Sequence, residues 1–394
     1  MENFSYLFLF LLFFEIFLII VVKNLKKDFK WLINTEDELP NFYKENLDKF
    51  FKDSYDSTIG WDRKKNNSGF ELGERKTFYQ ISKNGYRGKS KYKRNAISVF
   101  GDSFAFCRYV NDNKTWESQL EDKLKMNIHN YGVGNFGLDQ SYLKFLKYKK
   151  NIKSKIIIFN VVPETIARVN SYWKHYREFG NILGFKPIYE LKENKLILKK
   201  NPLKKNFTKK QIYTIIPKIK KVDIFYQLKF LKNKFSFPYS FTLIKNFHYY
   251  SNIIVNLILG KITNKKTFYD NAVTIVLKKN IKDSHEMYNN PYYLKKLKSM
   301  INYFNDSLKK NNFQMILVIS PQLLDLTEGN YDNVSRFYKQ IGKKILCLDL
   351  YNKIKNKKFK KYYFKDRYGG HFNETGNKIV SKILFNYFKS KKIL

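Results

Sequence analysis

Five short apolar runs, separated by longer amphipathic segments, constrain the fold of this 394-residue chain more than any other feature. The runs lie at residues 96–100, 127–131, 155–161, 313–320 and 344–349. Between them, residues 115–125 and 139–149 place apolar side chains at helical spacing. Strands that alternate with helices predict a parallel sheet covered on both faces. We therefore expect an α/β protein with a three-layer, flavodoxin-like domain.

The first apolar run ends directly before Gly101-Asp102-Ser103. Open α/β sheets carry their chemistry at the carboxyl ends of the strands, which is where this serine is expected. The free N–H groups at the start of a following helix can stabilise negative charge beside the hydroxyl. Ser103 is therefore a candidate nucleophile. A tight turn with a helix-capping serine is the structural alternative.

Two further glycine-rich loops follow the same strand-to-helix pattern. Near the C-terminus, His371 comes after Gly369-Gly370 and precedes a segment of helical periodicity that Asn373 can cap. Only five histidines are present, so candidate general bases are few. The loop at residues 130–140 also exposes backbone N–H groups that can bind developing negative charge.

These three loops, in this order, resemble the SGNH/GDSL hydrolase superfamily over residues 95–169 and roughly 310–390, and more loosely through Gly60-Trp61 and residues 84–87. The resemblance implies that Ser103 is the nucleophile and that His371 is its base. It implies an oxyanion hole formed by the backbone N–H groups of Ser103 and Asn135, although the family usually has glycine at the latter position. No cofactor and no metal ion are implied.

The chain departs from the family pattern at two points. The Gly-x-Asn-Asp block that supplies a side-chain oxyanion donor is missing, because residues 160–164 read Asn-Val-Val-Pro-Glu. The acid expected three residues before the histidine is replaced by Tyr368. Asp366 can reach the imidazole if the two glycines let the loop fold back. A Ser-His dyad is the other arrangement that the residues allow.

The family pattern is interrupted after the third strand, at residues 170–300, which predict an insertion that serves as a lid or substrate wall. Glu164, Arg168 and Asn170, at its start, are expected either to orient substrate or to form a structural Glu–Arg pair. The expected organisation is an anchor at 1–23, a juxtamembrane segment at 24–94, the SGNH domain at 95–169 and 301–394, and the insertion between these two parts.

Residues 4–22 form a nineteen-residue apolar segment, interrupted by Glu15, that is long enough to cross a bilayer. It lacks the basic start and the small-residue cleavage site of a signal peptide, so we expect an uncleaved single-pass anchor. The lysines that follow it favour a cytoplasmic catalytic domain, but this rule is weak in a chain with 66 lysines, and the side of the membrane stays open.

The net charge of +41 does not indicate nucleic-acid binding, because the cations are spread over the whole chain without a nucleic-acid-binding signature. Anionic lipid headgroups or acidic glycans are the more plausible attraction. The sequence predicts a serine-dependent ester hydrolase or O-acyltransferase that acts on an acylated glycan or lipid, with envelope or polysaccharide-assembly proteins as further partners. The alternative is a non-catalytic glycan-binding or envelope scaffold module.

Overall fold

A central sheet of five parallel strands organises the computed structural model, which describes residues 2–29, 40–74, 76–178, 182–356, 358–366 and 369–393. We number these strands in chain order: β1 Asn95–Gly101, β2 Asn127–Asn130, β3 Ile156–Val161, β4 Gln314–Ile319 and β5 Leu346–Asp349. They lie within one or two residues of the five apolar runs. Residues 156–161 are all buried, as expected for a strand covered on both faces.

The strand order across the sheet is β5-β4-β3-β1-β2, and every neighbouring pair is parallel. Read from the other edge, this is the 2-1-3-4-5 order of flavodoxin-like sheets, whose chemistry lies where the strand order reverses, between β1 and β3. Gly101 at the end of β1 pairs with Asn160 near the end of β3. The sequence-based fold class is therefore confirmed, and Ser103 leaves the sheet at this reversal point.

Helices cover both faces of the sheet. The α-helices in the described residues are Glu2–Phe29, Lys44–Asp53, Ser103–Phe106, Trp116–Leu124, Leu138–Tyr148, Thr165–Arg168, Lys174–Glu178, Lys209–Val222, Tyr239–Lys245, Phe247–Thr263, Lys266–Glu286, Pro291–Lys309, Leu323–Thr327, Asp332–Ile341, Tyr351–Ile354 and Glu374–Ser390. Single turns of 3₁₀ or π-helix add Asp112–Lys114, Lys149–Asn151, Tyr226–Leu231, Met287–Asn289 and Phe359–Tyr362.

Two apolar cores lie on opposite faces of the sheet. The first packs Leu138–Tyr148, Pro291–Lys309 and Asp332–Ile341 against one face. The second packs Trp116–Leu124 and Glu374–Ser390 against the other. Helix Pro291–Lys309 crosses the predicted boundary at residue 300 and buries Leu297, Met300 and Phe304 against the sheet, so the sheet-covering part of the chain begins before that boundary.

The segment before β1 and the insertion after β3 share a third apolar core, which lies beside the sheet. Helix Lys44–Asp53 contributes Leu47, and the insertion contributes Trp173, Phe185 and Ile212. The insertion contains the expected hairpin, with strands Ile188–Lys192 and Lys195–Lys199. The segment before β1 contains a second hairpin, Asn67–Leu72 with Lys76–Ile81. Two regions that are distant in sequence therefore form one unit, and both line a cavity together with Ser103.

One helix near the N-terminus is long and apolar enough to cross a membrane, over Ser5–Leu25. Its first half is largely exposed, whereas Leu18, Val22 and Leu25 are buried. These three side chains enter a fourth apolar core formed with the insertion helices Tyr239–Lys245, Phe247–Thr263 and Lys266–Glu286.

Candidate active site

Ser103 is the first residue of a short helix that starts immediately after β1. The Asp102 side chain caps this helix: its Oδ1 accepts a hydrogen bond from the Phe104 N–H at 2.8 Å. Its Oδ2 accepts the Val162 N–H at 2.9 Å and Arg168 Nη1 at 3.2 Å. Burial raises the pKa of the Asp102 carboxyl, and the Arg168 guanidinium opposes that rise. The turn that presents the serine is thus fixed to β3 through one buried carboxylate.

The structure brings Ser103, His371 and Asp366 together. His371 Nε2 lies 2.8 Å from Ser103 Oγ, and His371 Nδ1 lies 2.9 Å from Asp366 Oδ2. The same carboxylate oxygen accepts the backbone N–H of His371 at 2.8 Å. The imidazole stacks on Phe104, with 5.1 Å between the ring centroids, and meets the Tyr109 ring edge to face. Both ring nitrogens therefore have polar partners, and two aromatic rings pack against the imidazole.

The histidine loop reaches this geometry through two glycines. Gly369 has φ +99° and Gly370 has φ +83°, conformations that side chains rarely adopt. Their carbonyl oxygens accept the N–H groups of Leu324 and Leu323, which hold the fold-back against the loop after β4. A carboxylate five residues before the histidine consequently takes up the place beside the imidazole. Tyr368, which occupies the family position of the acid, lies outside the described residues.

The expected oxyanion donors face a common space. Ser103 and Asn135 line the same cavity, and among the described residues neither backbone N–H has a hydrogen-bond acceptor. Asn135 has φ +66°, a left-handed conformation that asparagine tolerates better than most residues with a side chain. In the turn after β3, Asn160 is buried and its Oδ1 accepts a hydrogen bond from Ser320, while the Val162 N–H points to Asp102. Within the described part of the chain, Asn160 Nδ2 is buried without a hydrogen-bond partner, but neither Asn160 nor residues 161–164 line the cavity, so this turn places no side-chain donor on the cavity wall.

Glu164, Arg168 and Asn170 are not on the cavity wall, so we revise the expectation that they orient substrate. Arg168 bonds Asp102, the Phe136 carbonyl and the Glu164 carboxylate inside the protein. Asn170 donates to the Ile166 carbonyl and accepts from Lys296. Buried charges need such partners, and these partners consume the polar atoms that substrate would need. The structural Glu–Arg pair that the sequence also allowed is the arrangement present.

The cavity in front of Ser103 has a volume of about 870 Å³. The segment before β1 forms one wall, with Trp61 and Arg63, and the insertion forms another, with Lys174 and Leu183. The Trp61 indole donates to the Gly134 carbonyl at 3.1 Å, which ties the first wall to the oxyanion loop. Burial lowers the pKa of Lys174 to about 8, although the carboxylate of Glu178 opposes this change.

Sequence reasoning missed the wall formed by the segment before β1. Gly60-Trp61 was the only signal for it, through the looser family resemblance. The insertion also approaches the histidine loop: Lys266 and Asp270, at the start of helix Lys266–Glu286, line a second cavity together with Asp366. The candidate site is therefore enclosed by elements that precede β1 and by elements inserted after β3.

Comparisons with known proteins give limited information. No family model matches the chain, and no curated protein matches it. A solved structure of a protein assigned to the lipolytic G-D-S-L family, from Desulfitobacterium hafniense DCB-2, is 11% identical, with a TM-score of 0.37 over 75% of this chain and 99% of that one. A second crystal structure is 10% identical, with a TM-score of 0.32 over 75% of this chain and 97% of that one.

Values this low do not transfer an activity, and the fold assignment depends on the sheet itself. The strand order, the serine turn after β1, the glycine-rich loop after β2 and the histidine loop before the last helix all occupy the positions expected of the superfamily. The chain has an SGNH/GDSL-like α/β fold with an insertion and one apolar N-terminal helix.

Proposed function

We propose that this protein is a membrane-anchored serine esterase or O-acyltransferase that acts on an acylated glycan or lipid. One observation carries the proposal: a continuous series of contacts links Asp366 to His371 and His371 to Ser103, each at 2.8 or 2.9 Å. A nucleophile, a base and a group that orients the base are the parts of a catalytic triad. A serine that only caps a helix needs neither the imidazole nor the carboxylate.

The proposed reaction begins with transfer of the Ser103 proton to His371 Nε2 as Oγ attacks the acyl carbonyl carbon. Asp366 keeps the proton on Nδ1, so that Nε2 is the nitrogen that accepts. The carbonyl oxygen becomes an oxyanion and takes hydrogen bonds from the N–H groups of Ser103 and Asn135. When the tetrahedral intermediate collapses, the ester C–O bond breaks, the alcohol leaves with the proton from His371, and the acyl group stays on Ser103.

The second half-reaction decides between hydrolysis and transfer. Water attacks the acyl-enzyme in an esterase, and a hydroxyl of a second substrate attacks it in an acyltransferase; His371 deprotonates the attacking group in both cases. The cavity wall supports a polar substrate of some size, because it combines the indole of Trp61 with the cationic side chains of Lys49 and Lys64. An acylated sugar or a lipid headgroup fits this combination of an aromatic surface and cations.

A fluorophosphonate probe tests the proposal, because it forms a covalent bond only with an activated serine. The full-length chain in detergent should be labelled and should cleave an activated acetyl ester, and Ser103→Ala should lose both properties. Ser390→Ala, at the end of the last helix, is the matched control and should behave as the unsubstituted chain does. Labelling that persists in Ser103→Ala would move the nucleophile elsewhere.

A folded chain that is never labelled would favour a non-catalytic glycan-binding module instead. The missing side-chain oxyanion donor is the observation that keeps this second candidate in view. Binding of acylated glycans without turnover would then be the property to measure.

A further inference from the structure

We propose that the insertion contributes a second membrane-embedded surface beside the N-terminal helix. This inference rests on the membrane attachment in the proposed function and extends it to a region more than 200 residues away. The surface, here called the outer face, belongs to residues 237–263. Its members are Phe237, Phe241, Ile244, Phe247, Val255, Leu259 and Ile262.

The outer face is too apolar and too exposed for contact with water alone. Its seven side chains are between 37% and 76% exposed; Phe237 precedes the first of two consecutive helices, and the other six lie on them. Helix Phe247–Thr263 contains no acidic residue and a single lysine. By contrast, helix Pro291–Lys309, which covers the sheet, carries lysines and an aspartate on its exposed side. A contiguous apolar patch with this composition marks an interaction surface.

Continuity with the N-terminal helix identifies lipid as the partner. Leu18, Val22 and Leu25 of the apolar stretch Ser5–Leu25 pack against the inner sides of the same insertion helices, in one apolar core with residues such as Leu243 and Ile253. A helix that lies in the bilayer cannot be covered there by protein unless the covering protein is in the bilayer too. The side chains of the outer face, on the other side of the insertion helices, then face acyl chains.

Glu15 provides an independent reason to place the N-terminal helix and the insertion helices together in the bilayer. It lies at the centre of the apolar stretch, and its carboxylate accepts the backbone N–H groups of Tyr239 at 2.5 Å and Ser240 at 2.8 Å. Acyl chains cannot hydrogen-bond a carboxylate, so a carboxylate within lipid needs partners from the protein. The insertion supplies these partners at the point where helix Tyr239–Lys245 begins.

Four polar side chains of helix Phe247–Thr263 are hydrogen-bonded in a way that suits a lipid environment. Ser251, Asn252, Asn256 and Thr263 each donate to the backbone carbonyl four residues earlier in the same helix. Asn24 of the N-terminal helix does the same with Ile20. Side chains that turn back to their own helix satisfy their donors without water.

The N-terminal helix and helix Phe247–Thr263 end close to each other, and lysines lie where they end. Lys261 Nζ lies 3.3 Å from the Asn24 carbonyl, and exposed Lys265 and Lys266 follow within the next turn of chain. A cationic rim at the end of an apolar surface suits anionic headgroups. Residues 247–260 span about 21 Å, less than the roughly 30 Å of a hydrocarbon core, so this helix enters the bilayer without crossing it.

Environment-sensitive fluorophores test this placement in the full chain. Phe241→Cys and Leu259→Cys are each labelled with the fluorophore NBD in a Cys347→Ala background, since Cys107 is buried. Leu146→Cys, an exposed position on a sheet-covering helix, is the matched control. In vesicles of phosphatidylcholine and phosphatidylglycerol, the probes at 241 and 259 should show blue-shifted emission. They should lose fluorescence when the lipids carry a nitroxide on the acyl chain, whereas the probe at 146 should change in neither respect.

The possible failures are distinguishable. Water-like emission at 241 and 259 in vesicle-bound protein overturns the outer face as a lipid surface and leaves the N-terminal anchor standing. Protein that does not bind vesicles at all contradicts the anchor itself. A blue-shifted probe that acyl-chain nitroxides do not quench, together with disulfide cross-linking between two copies of the unlabelled Phe241→Cys variant, assigns the face to a second copy and overturns the inference. Fluorophosphonate labelling of Ser103 in each variant reports on the catalytic proposal separately.

Discussion

The serine turn and the histidine loop meet at one 2.8 Å contact, but the protein holds them in different ways. The serine turn follows a central strand and is fixed from two sides by buried arginines. Arg168 bonds the capping carboxylate of Asp102, and Arg87 bonds the carbonyls of Phe106, Cys107 and Val110 after the turn. Among the described residues, the histidine loop follows the 3₁₀ turn Phe359–Tyr362 and not a strand of the sheet. Backbone hydrogen bonds and two left-handed glycines hold it, and one carboxylate fixes the ring.

The difference teaches that Ser103 is positioned mainly by buried charge and His371 mainly by backbone conformation. We expect substitutions in the histidine loop to change activity with little loss of stability. Substitutions around the serine turn should change stability together with activity, because buried ionic groups that lose a partner are costly. The following experiments test this division, from the largest expected effect on activity to the smallest.

The largest effect is expected for Asp366→Asn. The neutral amide cannot stabilise the imidazolium that forms when His371 accepts the serine proton. If its NH₂ takes the place of Oδ2, which contacts both the His371 backbone N–H and Nδ1, it also favours the tautomer with the proton on Nε2, which cannot accept the serine proton. We expect kcat to fall by about 10³- to 10⁴-fold with the melting temperature nearly unchanged. Steady-state kinetics on an activated ester measure this, with the exposed Asp332→Asn as control. A loss of only a few-fold would favour a Ser-His dyad.

Gly370→Ala tests the backbone of the histidine loop directly. A Cβ atom at this position would lie 2.3 Å from Leu323 Cβ, and φ is +83°, so the loop must shift. A displacement of about 1 Å is expected to lower kcat by roughly 10- to 100-fold. Gly342→Ala is the matched control, because its φ is −62° and its nearest contact would be 3.4 Å. Equal activity in the two variants would show that the loop tolerates other conformations.

Arg168→Lys tests the buried ionic contacts that hold the serine turn. One ammonium group cannot bond Asp102, the Phe136 carbonyl and Glu164 at the same time, as the guanidinium does. We expect a roughly tenfold fall in kcat with KM nearly constant, because a positioning residue acts on the reacting groups and not on substrate binding. A lower melting temperature should accompany it. Arg336→Lys, on the surface, is the control. A change confined to KM would instead return Arg168 to substrate binding.

Glu117→Gln should leave activity unchanged and alter only the pH dependence of stability. Burial raises the pKa of Glu117 to about 8, next to the Cys107 thiol. Above pH 4.5 the unfolded chain releases this proton while the folded chain keeps it, so stability falls as pH rises toward 8, by at most about 1.4 kcal/mol per pH unit. Denaturation in detergent between about pH 5 and 8 should show a shallower slope for the variant than for the exposed control Glu45→Gln. Glu121, whose pKa burial raises to about 7, and Asp223 and Asp349, whose pKa values burial raises to about 6, contribute to the slope that remains. An unchanged slope would contradict the assignment.

Local patterns in the sequence are sufficient for the sheet and for the three loops. Each strand is a short apolar run, and each loop follows a strand or precedes a helix, so periodicity predicts where the three loops lie. The choice of Ser103, Asn135 and His371 within them comes from the family resemblance. The closeness of Asp366 to His371 follows from two glycines that allow a fold-back. In each of these inferences, the sequence pattern lies within a few residues of the structural feature that it predicts.

Features that depend on distant partners could not be predicted in this way. A glutamate and an arginine four residues apart look the same in the sequence whether they face a cavity or a buried carboxylate such as Asp102. The contact between Trp61 and the oxyanion loop joins residues 73 positions apart, and a two-residue strand, Gly60–Trp61, leaves no periodic pattern. The apolar run in Phe247–Thr263 is visibly too short to span a membrane, but nothing in the sequence identifies its neighbour in the fold.

The separation of Ser103 and His371 by 268 positions has a consequence for how the protein is made. At the roughly 5 to 20 residues per second of translation, about 13 to 54 s pass between synthesis of the serine and synthesis of the histidine. The N-terminal apolar helix leaves the ribosome long before that interval ends. Under the proposed function, a nascent chain carries its anchor from the start but cannot bring Ser103 and His371 together until its last few dozen residues emerge, so membrane delivery would precede activity.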